Sequence, residues 1–201
     1  MLIAMSPARQ RFPACPARDG TAVLTFRKVH GAGNDFILFA DPAADRDWPE
    51  EARRLCPRGT GIGADGLVVT TRRGAAAFEV QCFNADGSTA TMCGNALRCA
   101  AFCVARDHAG QVMSLVMAGT EHRAQVRGDD VAVTADAGPV LPRQVQVTWN
   151  GKDLAFDAVH TGTEHVVAIV DDVDDIEVLR VAGQRRNLAL VLAPSPWIGA
   201  L

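Results

Sequence analysis

The sequence predicts an α+β fold in which short strands surround a few helices. Three observations carry this expectation. Short runs rich in Val, Ile, Leu and Phe alternate with clusters of Gly, Asn and Asp, as strands alternate with turns. Two stretches, near residues 47–56 and 96–105, read as helices instead. A third signal is an internal echo: Val29-His30-Gly31-Ala32-Gly33-Asn34-Asp35-Phe36-Ile37 resembles Val159-His160-Thr161-Gly162-Thr163-Glu164-His165-Val166-Val167. Alone, the echo fits chance as well as duplication; a duplication would give two related halves.

Element by element, Val23-Leu24-Thr25-Phe26 and Phe36-Ile37-Leu38-Phe39 read as two strands joined by a loop at His30–Asp35. Asp47 stands as an N-cap before Trp48-Pro49-Glu50-Glu51, with Pro49 in the first turn. That helix runs to about Cys56 and is stopped by Pro57 and Gly59. Gly59–Gly66 is a second glycine loop, followed by strands at Leu67–Thr70 and Ala77–Phe83. Asn84-Ala85-Asp86-Gly87 is a turn signal. Ala96–Ala105 is nearly all apolar and lacks Gly and Pro, so it reads as a buried helix beginning just after Cys93. Alternating strands return from Val112 to Ala135, Gly138–Arg143 is a boundary, and a second β-rich segment includes Val166–Val170.

The 201 residues are 48% hydrophobic and 21% charged, which is globular composition with room for one or two domains. We expect a first lobe at 23–140 and an incomplete second lobe at 141–201. Residues 1–22 carry three prolines and no apolar core of a signal peptide; we expect a disordered or over-long extension there. A net charge of −3 argues against a nucleic-acid partner. No apolar run approaches the roughly 18 residues of a membrane span. Six cysteines without zinc-ribbon spacing or secretory context favour a reduced, cytoplasmic setting.

Cys93 is the candidate for chemistry. A thiol at a helix N-terminus meets the positive end of the macrodipole and unpaired N–H groups, both of which favour a thiolate. The same N–H groups suit a carboxylate. Gly94 lets a ligand approach the backbone, and Asn95 offers a donor and an acceptor. By itself Cys93 also fits a small buried hydrophobe. Cys99 and Cys103, at i and i+4 of the apolar helix, read as packing residues, and the spacing of the three matches no common metal site.

His30-Gly31-Ala32-Gly33-Asn34-Asp35-Phe36, Gly61-Ile62-Gly63-Ala64-Asp65-Gly66, Phe83-Asn84-Ala85-Asp86-Gly87-Ser88 and Met92-Cys93-Gly94-Asn95-Ala96-Leu97-Arg98-Cys99 occur in this order. Together they resemble the diaminopimelate epimerase family over about residues 24–175. The resemblance implies two similar lobes, each a helix wrapped by mostly antiparallel β-structure, with substrate between them. It implies Cα proton transfer by one thiol from each lobe, without cofactor or metal, converting LL- to meso-diaminopimelate for lysine and cell-wall synthesis. Cys93 matches the first-lobe thiol, and His165 matches a histidine near the site. Asn34 and Asn84 match residues that grip substrate, although residue type alone makes both turn residues. Gly94 and Asn95 match the carboxylate seat. Asp35 and Asp65 read as structural. The partner is a small amino acid, with a homodimer as the assembly to test.

Three departures qualify the resemblance. Thr163-Glu164 precede His165 where the family carries Gly-Asn-Pro-His, which leaves a related racemase, for example histidine-type, or a non-catalytic binding protein as alternatives. Gly66 stands where some members carry glutamine. No cysteine follows Cys103, although duplication would place a second thiol at roughly 220–240. From Leu188 to Leu201 the text no longer resembles the family, so we expect a frameshift or truncation near residue 187 and an impaired enzyme.

Overall fold

The computed structural model describes residues 24–42, 46–107, 112–135, 144–149, 152–160, 164–170 and 189–194. The chain divides into two units, Met1–Thr134 and Ala135–Leu201. The extension at 1–22, the boundary at Gly138–Arg143 and the residues Thr161–Thr163 lie outside the described residues.

In the first unit a two-residue turn starts the sheet. It joins β1 (Arg27–Gly31) to β2 (Asn34–Ala40), with Gly31 paired to Asn34. Ala32 and Gly33 both have positive φ, 54° and 83°, as a type I′ turn requires. This corrects the expected strand at Val23–Phe26 and the expected loop at His30–Asp35. Leu24–Phe26 lie before the strand, while His30, Gly31, Asn34 and Asp35 all sit in the ladder. The turn needs only two residues, so pairing runs into the glycine-rich segment that composition alone marks as loop.

The order continues through α1 (Trp48–Leu55), β3 (Gly66–Arg72), β4 (Ala77–Asn84), α2 (Gly94–Asp107), β5 (Val112–Met117), β6 (Thr120–Arg127) and β7 (Asp130–Val133). All seven strands lie in one mixed sheet in chain order. The β2–β3 and β4–β5 pairs are parallel and the other four antiparallel. Parallel neighbours need a crossover, and α1 and α2 supply them. Because β2 and β4 run in opposite directions while the sheet advances one way, right-handed crossovers put the helices on opposite faces.

The side chains follow that division with period 2. Phe36, Leu38, Val68, Val80 and Cys82 pack with α2, while Ile37, Phe39, Leu67 and Val69 pack with Trp48 and Ala52 of α1. The middle strands are therefore apolar on both faces and read as continuous runs. α2 touches every strand, including both edges, so the sheet curls around it. Ala96, Leu97 and Cys99–Val104 are buried, which matches a helix apolar nearly all round. Burying Leu97 or Phe102 stabilises the fold by roughly 1.5–3 kcal/mol each. α1 is capped as expected, the Asp47 carboxylate accepting from the Glu50 N–H at 3.0 Å.

In the second unit, β8 (Gln144–Trp149), β9 (Lys152–His160), β10 (Glu164–Val170) and β11 (Ala189–Pro194) form a sheet ordered β11-β10-β9-β8. β9–β10 is an antiparallel hairpin and β10–β11 is parallel. The β1–β2–β3 segment has the same sequence of pairings, so the internal echo is matched in topology. The segment at 189–194, where the sequence no longer resembles the family, pairs with β10 along its length.

Candidate active site

Sheet register gathers the first unit's candidates at one end. Phe36, Gly66 and Asn84 form a cross-strand row, and Asn34 lies two residues before Phe36 on β2. Asn84 ends β4, so the crossover to α2 begins at that same end. The close approach of Gly31 to Asn95 brings the β1–β2 turn against the start of α2. A Cβ on Gly31 would lie 3.2 Å from the Asn95 carbonyl oxygen.

The turn after β4 is held from two sides. The Asn84 N–H donates to the Ser88 carbonyl at 2.8 Å, and the Gly87 N–H to the Asn84 carbonyl at 2.9 Å. The Asn84 side-chain amide donates to the Ser88 hydroxyl at 2.9 Å, and that hydroxyl donates to Asp86 at 2.6 Å. Asn84 is exposed, and its Nδ2 already serves the turn. From α1, Arg53 donates to the Asp86 carbonyl at 3.3 Å. Asn34 is half-buried and makes no side-chain hydrogen bond among the described residues.

Cys93 caps α2. Its carbonyl accepts from the Leu97 N–H at 3.0 Å, and its sulfur accepts from the Ala96 N–H at 3.4 Å. The thiol is half-buried, whereas Cys56, Cys82, Cys99 and Cys103 are buried, all as free thiols. Cys82 is the strongest influence lowering the Cys93 pKa to about 6. Burial opposes this, while the Ala96 and Asn95 N–H groups and the Arg98 charge support it. Burial instead pushes Cys99 up to about 12, in keeping with its packing role. The N–H groups of Asn95 and Ala96 thus face the sulfur, leaving Gly94 as the first-turn backbone donor for a carboxylate.

Two residues assigned no role from sequence shape this site. Arg98 donates to the Asn95 side-chain oxygen, fixing the amide and placing a cation near the sulfur. Its signal was available, since it lies three residues after Asn95 on one helix face. Cys82 is the other, and only strand register shows it. Asp35 and Asp65 are structural. Each accepts the other's backbone N–H, at 3.0 and 3.1 Å, and Arg58 bridges both carboxylates at 2.7 Å. Lys28 adds a contact to Asp35 at 2.5 Å. The Arg58 guanidinium leads in holding the Asp35 carboxyl well below the usual range.

His165 is the second residue of β10, paired with Val159 and Ala189, and its side chain lies outside the described residues. Among the described residues, no group of three or more His, Cys, Asp or Glu could hold a metal ion, and no helix is long and apolar enough to cross a membrane.

Among solved structures, a hydroxyproline epimerase from Agrobacterium vitis matches with a TM-score of 0.55 at 14% identity, covering 78% of this chain and 56% of that one. A phenazine biosynthesis protein of the PhzF family from Enterococcus faecalis matches with a TM-score of 0.50 at 11% identity, covering 81% and 63%. These likenesses establish the fold. In sequence, the diaminopimelate epimerase of Campylobacter lari is 34% identical over 156 residues, 77% of this chain and 61% of the relative. That of Desulfitobacterium hafniense is 30% identical over 203 residues, covering 84% and 71%. The chain therefore spans less than two thirds of the Campylobacter lari relative. The family model for diaminopimelate epimerase matches residues 26–141, the β-wrapped helix with its capping cysteine. On that match and those identities, the chain belongs to the diaminopimelate epimerase family.

Proposed function

We propose that this chain carries the first thiol of an amino-acid epimerase acting on diaminopimelate, with Cys93 as the base that removes the Cα proton. The observation that carries this is the half-buried Cys93 sulfur at the head of α2, with its pKa lowered to about 6. At neutral pH such a thiol is mostly thiolate, and its conjugate acid can return a proton to the same face. The Gly94 N–H and the free amide nitrogen of Asn95 suit a substrate carboxylate beside it, and Asn34 and Asn84 suit the substrate's polar groups. For His165 we propose a catalytic role, supported by its motif resemblance and its place at the start of β10. A cytoplasmic setting, a homodimer and supply of meso-diaminopimelate for lysine synthesis belong to the same proposal.

Inversion needs an acid on the opposite face, and Cys93 serves one face only. The segment of 201 residues tested by itself should therefore carry out half of the reaction. The chain incubated with LL-diaminopimelate in D₂O should exchange Cα hydrogen for deuterium with retained configuration and little meso product, followed by NMR and chiral chromatography. Cys93→Ser should reduce exchange at least about a hundredfold. Full exchange in Cys93→Ser would remove Cys93 as the base, and epimerisation at ordinary enzyme rates would remove the one-thiol limit. The Thr163-Glu164 departure favours a second reading, a racemase for another amino acid. Faster exchange on histidine than on diaminopimelate would support it.

A further inference from the structure

Arg98 follows Gly94, the first residue of α2, by one helical turn, and helical side chains lean toward the N-terminus. Its Nη2 donates to the Asn95 side-chain oxygen, and a Cβ on Gly94 would lie 3.5 Å from its Nη1. The half-buried guanidinium is therefore folded back over the first turn. Helix stability alone does not call for it there. A cation near a helix start opposes the macrodipole, and the first turn of α2 holds no acid to offset it. Among the described residues no carboxylate pairs with Arg98. Asn95 is also held from the other side. A Cβ on Gly31 would lie 3.3 Å from the Asn95 Cβ, so the β1–β2 turn packs against the root of that side chain.

We propose that Arg98 is a positioning residue for the substrate carboxylate, acting through Asn95: it holds the Asn95 amide with its nitrogen free, so that the start of α2 presents a donor there and not an acceptor. This rests on the start of α2 being the carboxylate seat. An asparagine amide has a donor end and an acceptor end, and half a turn about its last bond exchanges them. A guanidinium carries donors only, so the end it binds is the oxygen and the end left over is the NH₂ group. The charge on Arg98 strengthens that bond and makes the choice one-sided. Without Arg98 the amide is free to turn, and its oxygen would then meet the carboxylate lone pairs. Arg98 thus makes the seat selective for an anion, because the Gly94 N–H and the Asn95 side chain both donate.

The test is a double-mutant cycle on the 201-residue chain. LL-diaminopimelate is titrated into isotope-labelled protein, and affinity is read by NMR from the Gly94 backbone amide. Wild type should show a saturating shift. Arg98→Met, which keeps an apolar stem and removes the donors, should bind roughly tenfold more weakly. Asn95→Ala should lose a similar factor, and adding Arg98→Met to Asn95→Ala should lose nothing further. A residue acting through Asn95 has no effect once that amide is gone, whereas a loss of fold or of direct charge attraction would add. Thermal melts identify a variant that fails to fold, and Arg98→Ala then replaces Arg98→Met. Unchanged affinity in the single Arg98 variant overturns the proposal, as does a further loss of the same size in the double variant. A Gly94 signal that stays still in wild type instead overturns the start of α2 as the carboxylate seat, and the proposal with it.

Discussion

At the scale of single residues, Cys93 links ionisation to folding. Its pKa is 9.0 as an isolated group and about 6 in the folded chain. Between these values the unfolded chain binds the proton and the folded chain does not, so stability rises with pH across this window. As pH falls through about 6, that contribution is lost. The buried thiols Cys82 and Cys99 are shifted the other way, so they lower stability once pH passes the ordinary thiol range. Urea melts across this range should therefore show stability rising from about pH 6 to 9 and falling above it. Cys93→Ser should remove the rise and keep the fall. A rise that survives in Cys93→Ser would mean another group sets it.

At the scale of elements, close backbone approaches hold the loops that carry the candidates. Gly66 begins β3 with no room for a side chain, since a Cβ there would sit 2.6 Å from the Phe83 carbonyl oxygen. That is why glycine suits this position in this chain. Gly66→Ala should push β3 from β4, destabilise the chain by roughly 2–3 kcal/mol in urea melts and loosen the turn bearing Asn84. An unchanged melt would mean the two strands separate there without cost. Gly87 is equally confined at φ 82°, with the Pro49 carbonyl and Arg53 beside it, so α1 braces the Asn84–Gly87 turn. The Asp35–Arg58–Asp65 cluster does the same for the first two glycine loops, joining the start of β2 to the start of β3.

At the scale of the whole molecule, both described apolar cores lie within the first unit, one on each face of its sheet. A segment of residues 24–135 should therefore fold alone. Trp48 is buried between the sheet and α1 and is the sole tryptophan in that segment. Its fluorescence and the far-UV circular dichroism should report a single coincident unfolding transition. Separate transitions would show that the first unit depends on the rest of the chain. The hairpin-then-parallel order shared by β1–β2–β3 and β9–β10–β11 is the topological counterpart of the Val-His echo, and favours duplication over chance.

The sequence by itself determined the class of fold, the capped α1, the buried α2 and the place of Cys93 at its head. These are local properties: a capping carboxylate, an unbroken apolar stretch and a glycine after the cysteine act within a few residues of one another. It also carried the motifs that identify the family. The tertiary structure decided what depends on which strand lies beside which. The β1–β2 turn needs two residues where composition marks six as loop, because two positive-φ residues suffice to reverse the chain. Asp35 meets Arg58 and Asp65 only because β2 and β3 pair in parallel. Cys82 reads as one more strand residue until the chain folds back along β4 and packs Cys93 against the core that holds it. Periodicity records which face of a strand is buried; it does not record the neighbour, and the electrostatics of the Cys93 sulfur come from the neighbour.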